Sequence, residues 1–270
     1  MSHKKPLTLS IVIPVYNEEN HLRACLDSIA AQTVKPDEVI VVDNNSRDKS
    51  IEIAKSYSFV TILNESRQGI VYARTKGFDH VTNDIIARID GDSILPHNWV
   101  SRIQHFYGHD KHQNYGITGG AYFYNFRMPR LNGWIMGQLA YRLNRFITGF
   151  YILWGSNMAI PTKLWKEVRP QICMRDDIHE DLDLAIHLNK LGYKTRYQEN
   201  LRVGVALKRI WTDRKSVHKH MERWPLSLKI HGFKLWWLGS VGNFFLWYVL
   251  QPFFISAEYI AEFFGKQSLK

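Results

Sequence analysis

Residues 7–43 read LTLSIVIPVYNEENHLRACLDSIAAQTVKPDEVIVVD, and this stretch decides the fold class. The run 7–13 (LTLSIVI) is apolar and β-branched and stops at Pro14, as a buried strand does. Between 18 and 32, Leu22, Ala24, Cys25, Leu26, Ile29 and Ala30 fall at helical spacing, and the stripe ends near Thr33 and Pro36. Residues 38–42 (EVIVV) form a second apolar run, closed by Asp43-Asn44-Asn45-Ser46. The alternation then continues. Asp48 or Ser46 is placed to cap a helix over 48–57, and 59–63 (FVTIL) reads as a third strand. A helix follows over 69–81, then a fourth strand, Ile85–Ile89, ending at Asp90. Strands alternating with short helices predict βαβ units, an α/β fold with a mainly parallel central sheet and helices on both faces.

In such sheets ligands sit at the carboxyl ends of the strands. Tyr16, Asp43 and Asp90-Gly91-Asp92 all lie just past predicted strand ends, which gathers three polar groups on one rim. Carboxylates at i and i+2 in a turn can face one hard cation, which prefers oxygen ligands and leaves positions for phosphate. Gly91 permits an unusual turn there. The same acids also suit plain turns, and Asp43 suits an Asx-turn. His179-Glu180-Asp181 opens a helix over 180–191 (EDLDLAIHLNKL) that stops at Gly192. Acids at a helix start are favoured by the dipole alone, but one of them could also accept a proton from an attacking hydroxyl. The second histidine of a helical zinc motif is missing. Arg67, Arg74 and Lys76 flank Gly69 and could neutralise phosphate, or be solvated charges.

With 270 residues, 45% apolar and 22% charged, the chain can bury a core and is not generally disordered. A net charge of +10 and a pI near 9.5 point to an anionic partner: nucleic acid, a phosphorylated ligand or an acidic membrane. Nucleic acid is not expected, because no recognition motif is present and the basic residues cluster beside an aromatic tail. Cys25 and Cys173 match no metal or redox spacing and read as buried or idle thiols of a reducing compartment. Leu7–Val15 contains Pro14 and meets Asn17, Glu18 and Glu19, unlike a secretory leader, so a cytoplasmic chain is expected.

Residues 95–170 carry weaker patterns: 115–125 look strand-like, and 131–150 have the spacing of an amphipathic helix. Residues 194–205 return to a strand pattern. Lys208, Arg209, Arg214, Lys215, Lys219, Arg223, Lys229 and Lys234 then precede Leu235–Ala257, a run without charge that holds Trp236, Trp237, Phe244, Phe245, Trp247 and Tyr248. It meets the length of about 20 residues needed to span a bilayer. Ser240, Asn243, Gln251 and Pro252 interrupt it, and its aromatic richness suits an interface. The expected location is the cytoplasmic face of the cell membrane, as a peripheral or single-span C-terminal segment near anionic lipid. The alternative is an aromatic helix pair packed on the body. Arg223 beside Trp224 suits either a ligand stack or a membrane-rim anchor.

Three stretches together resemble the family 2 inverting glycosyltransferases, which have the GT-A fold: SIVIPVYNEENHLRACLDSIAAQTVKPDEVIVVDNNSRDKS, RQGIVYARTKGFDHVTNDIIARIDGDS and HEDLDLAIHLNKLGYKTRY. The resemblance covers residues 8–200. It implies that Pro14, Tyr16 and Glu18 line the nucleotide pocket and Asp43 binds the base. Gly69 and Arg74 would lie near the nucleotide and its phosphates. Asp90 and Asp92 would hold Mg2+ or Mn2+, Asp92 more directly. Asp181 would be the catalytic base with Glu180 beside it, and Trp154-Gly155-Ser156-Asn157 would border acceptor and donor sugar. The implied donor is a nucleotide-diphosphate sugar, with UDP expected, and the implied acceptor is a carbohydrate or lipid-linked hydroxyl in cell-envelope synthesis. Residues 1–207 would form the GT-A catalytic domain, nucleotide-binding over 7–93 and acceptor-side over 94–207. Residues 208–270 would form a membrane-associated helical region. The family often has Ala-Arg-Asn where this chain has Ala73-Arg74-Thr75. Processive members carry Gln-x-x-Arg-Trp where this chain has His220-x-x-Arg223-Trp224 with at most two hydrophobic segments after it, so polymer export is not expected. Two rival readings are transfer to a polyprenyl phosphate on the same fold and a non-catalytic membrane-associated binding module.

Overall fold

The computed structural model describes residues 6–125, 141–206 and 214–245. One sheet contains β1 (Leu9–Val15), β2 (Glu38–Asp43), β3 (Val60–Asn64), β4 (Ile85–Arg88), β5 (Tyr115–Phe123), β6 (Met158–Pro161) and β7 (Lys194–Val205). Their order across the sheet is β3-β2-β1-β4-β6-β5-β7. β1 pairs in parallel with β2 and β4, β2 with β3, and β5 with β7, while β6 runs antiparallel to both β4 and β5. All strands except β6 therefore point the same way, the mainly parallel sheet that the sequence predicts.

The helices are α1 (Leu22–Ala30), α2 (Ser50–Lys55), α3 (Ile70–His80), α4 (Trp99–Tyr107), α5 (141–148), α6 (Thr162–Val168), α7 (Glu180–Lys190), α8 (Arg214–Ile230) and α9 (Trp236–Phe244). Alternation along the strands assigns them to faces. Ile11, Ile13, Val39, Val41 and Ala87 pack under α1 and α4 through Leu22, Leu26, Ile29, Trp99 and Ile103. Val12, Ile40, Val42 and Ile86 face the other way, onto Ala73 and Phe78 of α3, Trp165 of α6 and Leu184 of α7. A third cluster joins Leu182 and Ile186 of α7 to Trp224 and Leu228 of α8.

β1 continues through Pro14, where the sequence reading stopped it. Its pairing with β4 ends at Val12↔Arg88, while pairing with β2 continues to Val15↔Asp43. Pro14 thus lies beyond the β4 ladder, where a missing N–H is tolerated. Asp48, rather than Ser46, serves the start of α2: its Oδ1 accepts the Ser50 N–H at 3.0 Å, and Ser46 Oγ accepts the Asn17 N–H instead. Trp224 corrects an expectation, because it is 7% exposed in the third cluster and anchors α8 in the core rather than at a membrane rim. Within 131–150 the helix is described over 141–148, and residues 131–140 lie outside the described residues. So do 207–213, where the domain boundary was expected, and 246–257 of the uncharged run. Among the described residues no helix is long and apolar enough to cross a membrane.

Candidate active site

The loops after β1, β2 and β4 meet at one edge, as parallel pairing requires. The first two interlock: Glu18 N–H donates to Ser50 Oγ at 2.7 Å, Glu19 N–H to Asp48 Oδ2 at 2.9 Å, and Arg47 N–H to Asn17 Oδ1 at 2.8 Å. Asn17 and Asn45 take positive φ, which a small polar side chain tolerates. Tyr16 is 47% exposed beside them, and Pro14 is half-buried at the strand end. One Asp43 oxygen accepts the Ser46 N–H at 2.9 Å, a local side-chain bond three residues on that fixes a half-buried carboxylate at the end of β2.

Asn44, read in the sequence only as a turn residue, organises the neighbouring loop. Its amide donates to the Glu65 and Arg67 carbonyls, and its Oδ1 accepts the Gly69 N–H at 2.8 Å. Gly69 has φ +140°, a conformation that side chains rarely adopt, and it starts α3 next to the 43–46 turn.

Past β4, Asp90 and Asp92 are half-buried and Gly91 is buried between them. A Cβ on Gly91 would lie 3.1 Å from Glu18 Cγ, so the Glu18 side chain covers the middle of the triplet. Tyr124, which the sequence reading did not single out, lies close by. Burial pushes its phenol up to about 12, and the charges of Asp92 and Glu18 add to the rise. Glu18, Asp90 and Asp92 thus bring three carboxylates to this edge, oxygen donors of the kind a hard divalent ion prefers.

The same structure carries the charge inward. Arg88, the last residue of β4, is a buried arginine inside an apolar strand and is the main residue the sequence reading overlooked. Its signal was present: a charge within IIARI, two residues before the triplet. Its Nη2 donates to Asp90 Oδ1 at 3.2 Å, while Nη1 donates to Glu180 Oε1 at 3.1 Å and to Asp181 Oδ1. One guanidinium therefore bridges the triplet and the Glu180-Asp181 pair. Burial lowers the Arg88 pKa, but Asp181, Asp90 and Glu180 outweigh it and raise it above its ordinary value. Burial pushes the Asp181 carboxyl up to about 7; Arg88 opposes the rise and the Glu180 charge adds to it. Burial acts the same way on Glu180, but Arg88 foremost outweighs it and holds that carboxyl well below the usual range.

The reversed direction of β6 brings the loop before it, 154–157, to this rim. A Cβ on Gly155 would stand 2.5 Å from both Arg88 Cζ and Asp181 Oδ2, so only glycine fits against the ion pair. Trp154 is 37% exposed and can border a ligand. Asn157 cannot in this arrangement: it is 1% exposed and bonds the Trp99 indole and the Gly120 and Leu201 carbonyls. Ser156 is also buried.

Arg74 departs from its expected place beside phosphate. It is fully buried on α3, donates to the Glu180 carbonyl at 3.2 Å, and lies 5.5 Å from the Trp165 ring. Helical phase turns position 74 inward, so its charge supports the acidic pair from behind. Arg67 in the loop and Lys76 on α3 remain exposed, Arg67 paired with Glu65 at 3.1 Å. A surface hollow lined by Glu19, Arg23, Lys49 and Ile53 lies between the starts of α1 and α2 and contains none of the expected site residues.

Comparison with known proteins agrees with the fold. The model of the family described as glycosyl transferase family 2 matches residues 10–168. Glycosyltransferase GlyA of Streptococcus pneumoniae is 33% identical over 99 residues, 35% of this chain and 14% of that one. Glycosyltransferase AglE of Haloferax volcanii is 35% identical over 101 residues, 35% of this chain and 33% of that one. The matched part is thus a third or less of those relatives. Among solved structures, mannosyltransferase PcManGT from Pyrobaculum calidifontis, in complex with GDP-Man and Mn2+, superposes with TM-score 0.63. It shares 16% identity over 94% of this chain and 74% of its own, a likeness of fold.

Proposed function

The chain belongs to glycosyl transferase family 2, and from that premise we propose that it moves a sugar from a nucleoside-diphosphate sugar, with uridine the expected base, to an acceptor hydroxyl with inversion. The observation that carries this reading is the Arg88 bridge, which sets a rim suited to metal and diphosphate beside a buried carboxylate suited to proton transfer. Tyr16, Pro14, Asp43 and Gly69 border the nucleoside. A divalent ion, Mg2+ or Mn2+, held by Asp92 and Asp90 would neutralise charge on the leaving diphosphate. Asp181 accepts the acceptor's proton as the new C–O bond forms and the anomeric bond to diphosphate breaks. Arg88 and Gly155 hold Asp181 in place, and Glu180 shares its counter-charge. A hard cation at Asp90 and Asp92 also fits the Mn2+ seen in the PcManGT structure.

The acceptor is proposed to lie at a membrane. Trp237, Val241, Phe244 and Phe245 are 50%, 55%, 61% and 46% exposed at helical spacing on and just past α9, which gives an apolar stripe suited to the lipid interface. That stripe supports the reading of a chain at the cytoplasmic face of the membrane, peripheral or single-span.

The test is a transfer assay with purified protein and a panel of nucleotide-sugars, comparing soluble hydroxyl acceptors with polyprenyl phosphate in membranes. Metal-dependent transfer to a hydroxyl, lost in Asp181→Asn, is the expected result. Transfer to lipid phosphate that survives Asp181→Asn would replace the hydroxyl reading. No turnover of any donor with any metal would favour a binding module.

A further inference from the structure

Asp183 and His187 occupy one face of α7, four residues apart, one turn beyond the proposed catalytic pair. Two further side chains reach them from elsewhere: Cys173 from the segment before α7, and His231 from the turn after α8. One donor atom from each of the four lies within 4.8 Å of the others. Cys173 Sγ is 3.8 Å from His187 Nε2, and Asp183 Oδ1 is 3.3 Å from His187 Nε2 and 2.8 Å from His231 Nε2. We propose that Cys173, Asp183, His187 and His231 form a second metal site, a tetrahedral Zn2+-type centre that clasps the C-terminal helices onto α7.

Four observations carry it. Bond lengths of about 2.0–2.3 Å from zinc to N, O and S place tetrahedral ligands roughly 3.3–3.8 Å apart, which brackets two of these three separations. The chemistry also matches, since thiolate, two imidazoles and a carboxylate form a set that prefers a borderline-soft cation over Mg2+. Charge balance is the third point. A thiolate, a carboxylate and a divalent cation sum to zero, so the fully buried Asp183 is neutralised inside the protein. Lastly, the outer arrangement is that of a held ligand: Asp183 Oδ2 accepts the Cys173 backbone N–H at 3.0 Å, which orients the carboxylate. His187 turns Nε2 to the cluster, toward Cys173 Sγ and Asp183 Oδ1. Metal binding displaces the thiol proton and any Nε2 proton to solvent. Nδ1 of His231 then carries its proton, and the exposed Lys190, now 3.2 Å from that atom, turns to water.

The site is distant in kind from the Asp90–Asp92 rim, and its role is to position α8 against α7 rather than to touch substrate. The sequence lacks the second histidine that a helical zinc motif beginning at His179 needs; this cluster uses His187 on α7 and His231 from the turn after α8 instead.

The test uses the untagged full-length chain in an Asp92→Ala background, so that the rim does not report and failure of the transfer reading leaves this result unaffected. Chelator-treated protein is titrated with Zn2+ and, separately, Co2+. Expected results are one equivalent of tightly held Zn2+, a rise in Tm, and a thiolate-to-cobalt charge-transfer band. Cys173→Ser should abolish the band, and His231→Gln should weaken Zn2+ binding by more than about 10-fold. Absence of the cobalt band in the parent protein, or Zn2+ affinity unchanged in both variants, would overturn the proposal and leave a metal-free hydrogen-bonded cluster.

Discussion

Asp43, Asp90 and Asp92 sit half-buried on the strand-end rim, whereas Glu180, Asp181 and Asp183 are 4%, 3% and 0% exposed at the start of α7. The rim acids keep contact with water while Asp43 holds the Ser46 N–H and Asp90 the Arg88 guanidinium. The α7 acids have exchanged water for protein: Arg88 for the first two, imidazoles and a backbone N–H for the third. Breaking a buried pair leaves a stranded charge, while around a half-buried acid water can take the place of what is removed. Rim substitutions should therefore cost binding and spare stability, and substitutions around α7 should cost both.

The sharpest break is Arg88→Met, which leaves Glu180 and Asp181 without their counter-charge. A loss of about 3–5 kcal/mol is expected by denaturant unfolding, together with loss of transfer. A variant of near wild-type stability would end the distinction between the two regions. Gly155→Ala adds a methyl 2.5 Å from Arg88 Cζ and Asp181 Oδ2. It should destabilise by about 1–3 kcal/mol and cut turnover, because neither partner can retreat.

Acid–base behaviour separates the regions more finely. Burial raises Asp181 to about 7, so below that pH it is protonated and cannot accept a proton. Transfer under single-turnover conditions should rise with pH through about 7, about tenfold per unit on the acid limb. A flat profile would remove Asp181 from the base role. Asp183 shifts the other way. Burial pushes it up, but hydrogen bonds from His187, His231 and Cys173 outweigh that and hold it well below 3.8. A carboxyl depressed on folding stabilises above its unfolded value and loses that contribution as pH falls. Urea midpoints in chelator should thus drop below about pH 4, more steeply than in Asp183→Asn. The smallest expected effect on stability is that of Asp92→Ala, within about 0.5 kcal/mol, alongside loss of metal-dependent donor binding by calorimetry. A large stability loss there would make the rim resemble the interior.

The first four strands, α1 to α3, α7 and β7 were legible because each carries its own period over enough residues. β6 was not: MAIP is four apolar residues without alternation, and its reversed direction is set by β4 and β5 beside it. α4 and α6 fall in the weakly patterned 95–170 region for the same reason of short runs. Arg74 was placed beside phosphate because charge in a Gly-containing stretch suggests exposure, but helical phase turned it inward. Asn157 was expected at the ligand and is held by the bulged β5–β7 pair.

The sequence by itself determined the rim. A polar residue that follows an apolar strand is delivered to the sheet edge by strand length and parallel pairing alone, and both are local properties. Only the tertiary structure decided what the buried charges do. Arg88 and Asp181 are 93 positions apart, and His231 is 48 from Asp183. A charge can leave water only where another part of the chain supplies its partner, and no local pattern records which part arrives.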